Sequence, residues 1–185
     1  MRLPRTLAQT RSSATVGIVT CLVAAIVPAA SANDHQHLSK VKGEWSNPVG
    51  ACVAHIIDVD SATGDVLGCS GTSDWTGTWK GSTAWTLTGD ISLTTGGSGR
   101  IREVFKGRAR GGREGKLTFV ERFTLDAAGH IDIKGKIVKS SGRLAGSHGK
   151  ARWIGTANAD GSGVGTYSGH WHEGGQRHHR QHGPS

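Results

Sequence analysis

After residue 42, apolar and polar positions alternate along most of the chain, and glycines interrupt the alternation every 8–12 residues. A period of two marks strands with one buried face, because successive side chains in a strand point to opposite sides. No segment keeps a helical apolar period over three turns. The pattern predicts strands over Val53–Val59, Asp74–Trp79, Ala84–Leu93, Gly99–Ala109, Lys116–Asp126, His130–Lys139, Lys150–Ala157 and Val164–His172. About eight strands joined by short glycine turns point to an all-β fold, an antiparallel closed barrel, since closure leaves no sheet edge exposed. A two-sheet β-sandwich is the alternative.

The ends read differently. Arg2, Arg5 and Arg11 flank an apolar run from Val16 to Val27, and Pro28–Ala32 carries small residues at Ala30 and Ala32. These are the parts of a cleaved export signal over residues 1–32, and the run is short for a bilayer span. The expectation is a secreted, extracellular protein that is not membrane-spanning. Residues 33–42 and 173–185 are polar and histidine-rich and read as disordered tails, which leaves 43–172 for the barrel. The signal holds three of the 22 basic residues and none of the 14 acidic ones, so the remainder carries a net charge of +5 against +8 for the whole chain. It also holds Cys21, one of three cysteines. Cys52 and Cys69 remain, and in an oxidising compartment two cysteines favour one disulfide.

Four segments carry a likeness: Ser70–Trp79 (SGTSDWTGTW), Glu103–Gly107 (EVFKG), Leu117–Phe123 (LTFVERF) and Gly163–Trp171 (GVGTYSGHW). Together they resemble bacterial secreted relatives of the allene oxide cyclase and dirigent barrels, over roughly residues 70–172. That resemblance implies an eight-stranded barrel with a central cavity and a role in cyclising or orienting apolar small molecules. Gly43–Gly50 (GEWSNPVG) is similar to the first strand of avidin-like barrels, but Ala51 and Ser70 stand where that family places biotin-contacting hydroxyls.

Two strands carry the candidate chemistry. The odd positions of Ile101–Ala109 include Ile101, Glu103 and Phe105, and those of Lys116–Asp126 include Leu117, Phe119, Glu121 and Phe123. Each apolar face thus holds one glutamate at its middle. A hairpin symmetric about Gly112 sets Phe105 opposite Phe119, Ile101 opposite Phe123, and Glu103 opposite Glu121. Two carboxylates so close in an apolar cavity do not both ionise, so one keeps its proton near neutrality. An acid and a base in one place suit a cofactor-independent cyclase or isomerase with Glu103 and Glu121 as its catalytic pair. A glycosidase pair must flank a sugar, which adjacent hairpin positions do poorly.

The aromatics Trp75, Trp79, Trp85, Phe105, Phe119, Phe123, Trp153, Tyr167 and Trp171 are assigned to the interior, with glycines between bulky residues leaving room for a small apolar or aromatic ligand. Packing that simply fills the barrel is the competing reading, as is pairing of a glutamate with an arginine such as Arg152. A non-catalytic binding or envelope-associated protein then becomes the alternative function.

The opposite faces carry Arg102, Lys106, Arg108, Lys116, Arg122, Lys134 and Lys136. In the symmetric register Arg102 opposes Arg122 and Arg108 opposes Lys116, which an anionic cell-envelope polymer would relieve. An ordinary solvated face is the simpler reading. An exported chain without a nucleic-acid motif gives no reason to expect nucleic acid as partner. Cleavage after Ala32 would expose Asn33-Asp34-His35, whose amine, amides and imidazole suit square-planar Cu(II) or Ni(II), so His35 is the first metal candidate, with His170, His172, His178, His179 and His182 as weaker ones. No cofactor is implied, because phosphate-loop and dinucleotide signatures are missing.

Overall fold

The computed structural model describes residues 38–92 and 95–174. The expected export signal, His35 and the histidines beyond residue 174 lie outside the described residues. Nine strands are present: β1 (Leu38–Asn47), β2 (Ile56–Val59), β3 (Val66–Gly77), β4 (Trp79–Ser92), β5 (Gly96–Ala109), β6 (Arg113–Leu125), β7 (His130–Gly142), β8 (His148–Ala157) and β9 (Gly163–His172). All but β2 close into an antiparallel barrel. Sheet neighbours run β1-β9-β8-β7-β6-β5-β4-β3, and β3 returns to β1 through Gly43↔Gly77 to Ser46↔Asp74. This is the closed barrel that the alternation predicts, and the sandwich alternative is set aside.

The count of eight is met by a different set of strands. The first barrel strand begins at Leu38, inside the segment expected as a disordered tail. Its burial is sparse: Val41 and Trp45 are buried, Gly43 lies between them on the same face, and the rest is polar or at the surface. Period-two alternation is faint in such a strand. Pairing along its whole length with β9, from Leu38↔His172 to Asn47↔Gly163, is what makes it extended. Conversely, the predicted strand Val53–Val59 is a single turn of 3-10 helix, Val53–His55, followed by the short β2. Every residue of β2 is exposed, and it pairs only with the start of β3, outside the barrel. At the other end the expected tail is tied down at its first residues. Glu173 forms an ion pair with Arg113 at 2.6 Å, and the Gly174 amide donates to Ser147 Oγ at 3.3 Å.

The barrel interior divides into two halves. One end is packed solid. Trp79, Trp171, Tyr167, Phe105, Phe119 and Leu117 are essentially without solvent contact, and Leu144, from the β7–β8 turn, seals them. The Trp79 and Tyr167 rings stack 5.3 Å apart, and Phe119 stands edge-on to Trp79 at 5.4 Å. The Tyr167 hydroxyl accepts from the Trp79 amide at 2.9 Å and donates to the Thr76 carbonyl at 2.9 Å, which pins β9 to the β3–β4 hairpin. Burying each large ring contributes about 2–3 kcal/mol, so this plug dominates the core. The Arg113 guanidinium caps it, 5.5 Å from the Trp171 ring centre.

The other half is lined more loosely by Cys69, Leu87, Ile91, Ile101 and Phe123, with Trp85 and Ile131 packed beside them. Cys52 and Cys69 form the expected disulfide, with their Cα atoms 5.3 Å apart, and tie the 48–55 segment to β3. Among the described residues, no helix is long and apolar enough to cross a membrane.

Candidate functional site

The loosely lined half encloses a cavity of about 340 Å³. Its wall comes from β1, β3, β4, β5, β6, β7 and β8, and its rim from the turns at 126–129 and 157–161 and from the disulfide-tethered 48–55 segment. Of the aromatics assigned to the interior, Trp75, Trp85, Phe123 and Trp153 line this cavity. Trp79, Phe105, Phe119, Tyr167 and Trp171 instead belong to the solid plug and do not line it. Trp75 is shared between the halves: it sits 5.5 Å from Phe105 and 5.5 Å from Trp153, and so forms part of the cavity floor.

Glu103 and Glu121 both line the cavity, and both are buried, at 6% and 2% exposure. They are not directly opposite, which corrects the symmetric hairpin. The β5–β6 turn is Arg110–Gly112, with Gly111 and Gly112 both at positive φ, and the last pair before it is Ala109↔Arg113. Centring on Gly111 rather than Gly112 slides the register by two residues. Glu103 therefore faces Phe119, and Ile101 faces Glu121. A slip of two keeps every side chain on its face, and diagonal neighbours remain within reach of long side chains. The two carboxyls thus remain close enough to influence each other's ionisation.

Glu121 has room because its neighbour across the β6–β7 ladder is Gly135. A Cβ at Gly135 would fall on the Glu121 side chain, 3.2 Å from its Cβ and 3.3 Å from its carboxyl carbon. Inward glycines elsewhere are covered by rings in the same way, Gly71 by Trp85 and Gly165 by Trp45. The glycines therefore admit neighbouring side chains more than they leave open space.

Burial pushes the Glu103 carboxyl up to about 7, while hydrogen bonds with Thr83 and Glu121 hold it lower than burial alone would. Burial also raises Glu121 well above the usual carboxylate range, and the Glu103 charge and hydrogen bond raise it further. The pair as a whole therefore retains a proton near neutrality. Among the described residues, one oxygen of Glu121, Oε1, finds no hydrogen-bond partner. Arg152, the candidate counter-charge, points outward and binds Asp132 through two bonds of 2.8 and 3.0 Å. Beside the pair, Trp85 Nε1 donates to Ser73 Oγ at 2.9 Å, and Ser73 Oγ donates to Asn47 Oδ1 at 2.6 Å. Sequence reasoning did not single out Trp45, Asn47 and Ser73 as cavity residues. Trp45 and Asn47 share an inward face with Val41, and that spacing is the signal that would have found them.

The register also rearranges the outer face. Arg102 lies opposite Val120, and Arg108 lies opposite Glu114, with which it forms an ion pair at 3.3 Å. The expected pairs Arg102–Arg122 and Arg108–Lys116 are thus replaced. Arg100, Arg122, Lys134 and Arg152 form a row across β5 to β8 instead, moderated by Asp132. Among the described residues, no group of three or more His, Cys, Asp or Glu is placed to hold a metal ion. Comparison with protein-family models and with curated proteins finds no match to this chain.

Proposed function

We propose that this chain is an exported barrel that binds a small apolar or aromatic molecule in the open half of its interior, and that Glu121 and Glu103 exchange a proton with it in a cyclisation or isomerisation. The observation that carries this reading is the placement of both buried carboxyls on the wall of the cavity rather than within the plug. A carboxyl pair that keeps a proton near neutrality presents an acid and a base together, so a substrate resting between Glu103 and Glu121 meets a donor and an acceptor without cofactor or metal. The rings of Trp75, Trp85 and Trp153 supply a wall that orients a flat or apolar body. The disulfide fits an oxidising compartment, in keeping with the export signal. The likeness to allene oxide cyclase and dirigent barrels belongs to the same proposal, since those folds shape apolar substrates inside a barrel.

The test uses a neutral aromatic probe, 2-naphthylmethanol, read by quenching of tryptophan fluorescence. Saturable one-to-one binding is expected, weakened at least ~10-fold by Ile101→Trp, which fills the cavity from β5. Binding unaffected by Ile101→Trp would place the probe elsewhere and remove the reading.

A further inference from the structure

The cavity inverts the charge of the molecule around it. The whole chain carries +8, and the outer face of β5 to β8 displays the row Arg100, Arg122, Lys134 and Arg152. Yet among the described residues the ionisable side chains lining the cavity are Glu103, Glu121 and, at the rim, Asp126, and no Lys, Arg or His lines it. Asp126 is exposed and already bound to His130 at 2.9 Å, so the buried pair sets the character of the floor. From β3, β4, β7 and β8 the groups around that floor are Ser73, Trp75, Thr83, Trp85, Gly135 and Trp153, none of which carries a charge.

We infer that the open half of the barrel selects an organic cation, a protonated amine carried on an apolar or aromatic body; this rests on the reading of the cavity as a small-molecule site. A buried carboxylate without a counter-ion is costly. The described residues supply none, and Glu121 Oε1 is left with an unmet acceptor among them. An ammonium placed there meets both carboxyls, satisfies that acceptor and allows the pair to ionise. Trp75, Trp85 and Trp153 offer ring faces, which attract a cation most strongly when water is excluded. An anionic ligand would meet acids and no base. The volume suits a body on the order of one or two fused rings.

Such binding is linked to protons. An ammonium favours the more ionised form of the pair, so a proton that the empty pair still holds is released on binding. An alkylammonium keeps its own charge from pH 5 to pH 8, so any change of affinity over that range belongs to the glutamates. Affinity therefore rises with pH as the pair gives up its proton.

The experiment compares 2-naphthylmethylamine, 2-naphthylmethanol and 2-naphthoate by titration calorimetry on the intact protein. At pH 8 the amine is expected to bind at least ~10-fold more tightly than the alcohol, and the naphthoate more weakly than either. The preference for the amine should shrink at pH 5, and near pH 7 amine binding alone should release protons, seen as a heat that varies with buffer ionisation enthalpy. In the double variant Glu103→Gln/Glu121→Gln the preference should vanish while the alcohol still binds, which shows the cavity intact. Equal affinity of amine and alcohol for the wild type, or a preference that survives the double variant, overturns the cation inference and leaves the cavity reading standing. If none of the three probes binds, both are overturned.

Discussion

A carboxyl that holds its proton more tightly in the folded chain than in the unfolded one weakens the fold as pH rises. Burial raises Glu103 from 4.5 to about 7, and Glu121 is raised with it. Their contribution is therefore most favourable below pH 4.5 and is lost as pH climbs through about 7. For Glu103 alone the loss is on the order of 3 kcal/mol. Asp126, Asp132 and Asp160 act in the opposite sense: hydrogen bonds from His130, Arg152 and Ser162 hold them below 3.8, so what they add disappears only in strong acid. Between pH 5 and pH 8 the glutamate pair should govern. Denaturant unfolding is expected to show a more stable protein at pH 5 than at pH 8, and Glu103→Gln should flatten the difference and raise stability at pH 8. A wild type that gains stability from pH 5 to pH 8 would contradict this assignment. That both glutamates face inward was legible from the alternation in two strands. That they sit diagonally was not, because two adjacent glycines, Gly111 and Gly112, leave the centre of the hairpin undetermined in the sequence.

At the scale of elements, strands with strong alternation were readable and weakly apolar ones were not. β4 and β6 present bulky residues at every second or fourth position. β1 buries only Val41 and Trp45, and its strand character comes from the ladders on either side. β2 shows the converse: Ile56, Ile57 and Val59 suggest a buried strand but remain exposed because the barrel closes behind them. The Cys52–Cys69 bond fastens this outside segment over the cavity rim. It closes a loop of 17 residues, worth about 3 kcal/mol in the chain-entropy model. Replacing both cysteines with alanine should lower stability by about that amount. It should also weaken 2-naphthylmethanol binding while leaving the near-ultraviolet circular dichroism of the Trp79–Tyr167–Trp171 plug intact. Loss of the plug signal in the folded variant would show that the two halves are not independent.

For the whole molecule, the decisive property is the division of one barrel into a solid end and a hollow end. The sequence shows which side chains point inward, but not at which level each ring lies. Trp79 at the start of β4 and Trp171 at the end of β9 meet because the strands close into a ring, with centroids 6.2 Å apart. Their place in the plug follows from that closure, not from local pattern. Both glutamates line the cavity, and Glu103 lies across the ladder from Phe119 of the plug, so the pair is buried yet reachable. Carboxyl-resolved NMR titration of Glu103 and Glu121, with and without 2-naphthylmethanol, tests that placement most directly. The expected result is two coupled steps, both above the ordinary carboxylate value, with a proton retained by the pair near neutrality and both signals moved by the probe. Independent titration of the two groups near 4.5, or signals indifferent to a bound probe, would contradict it.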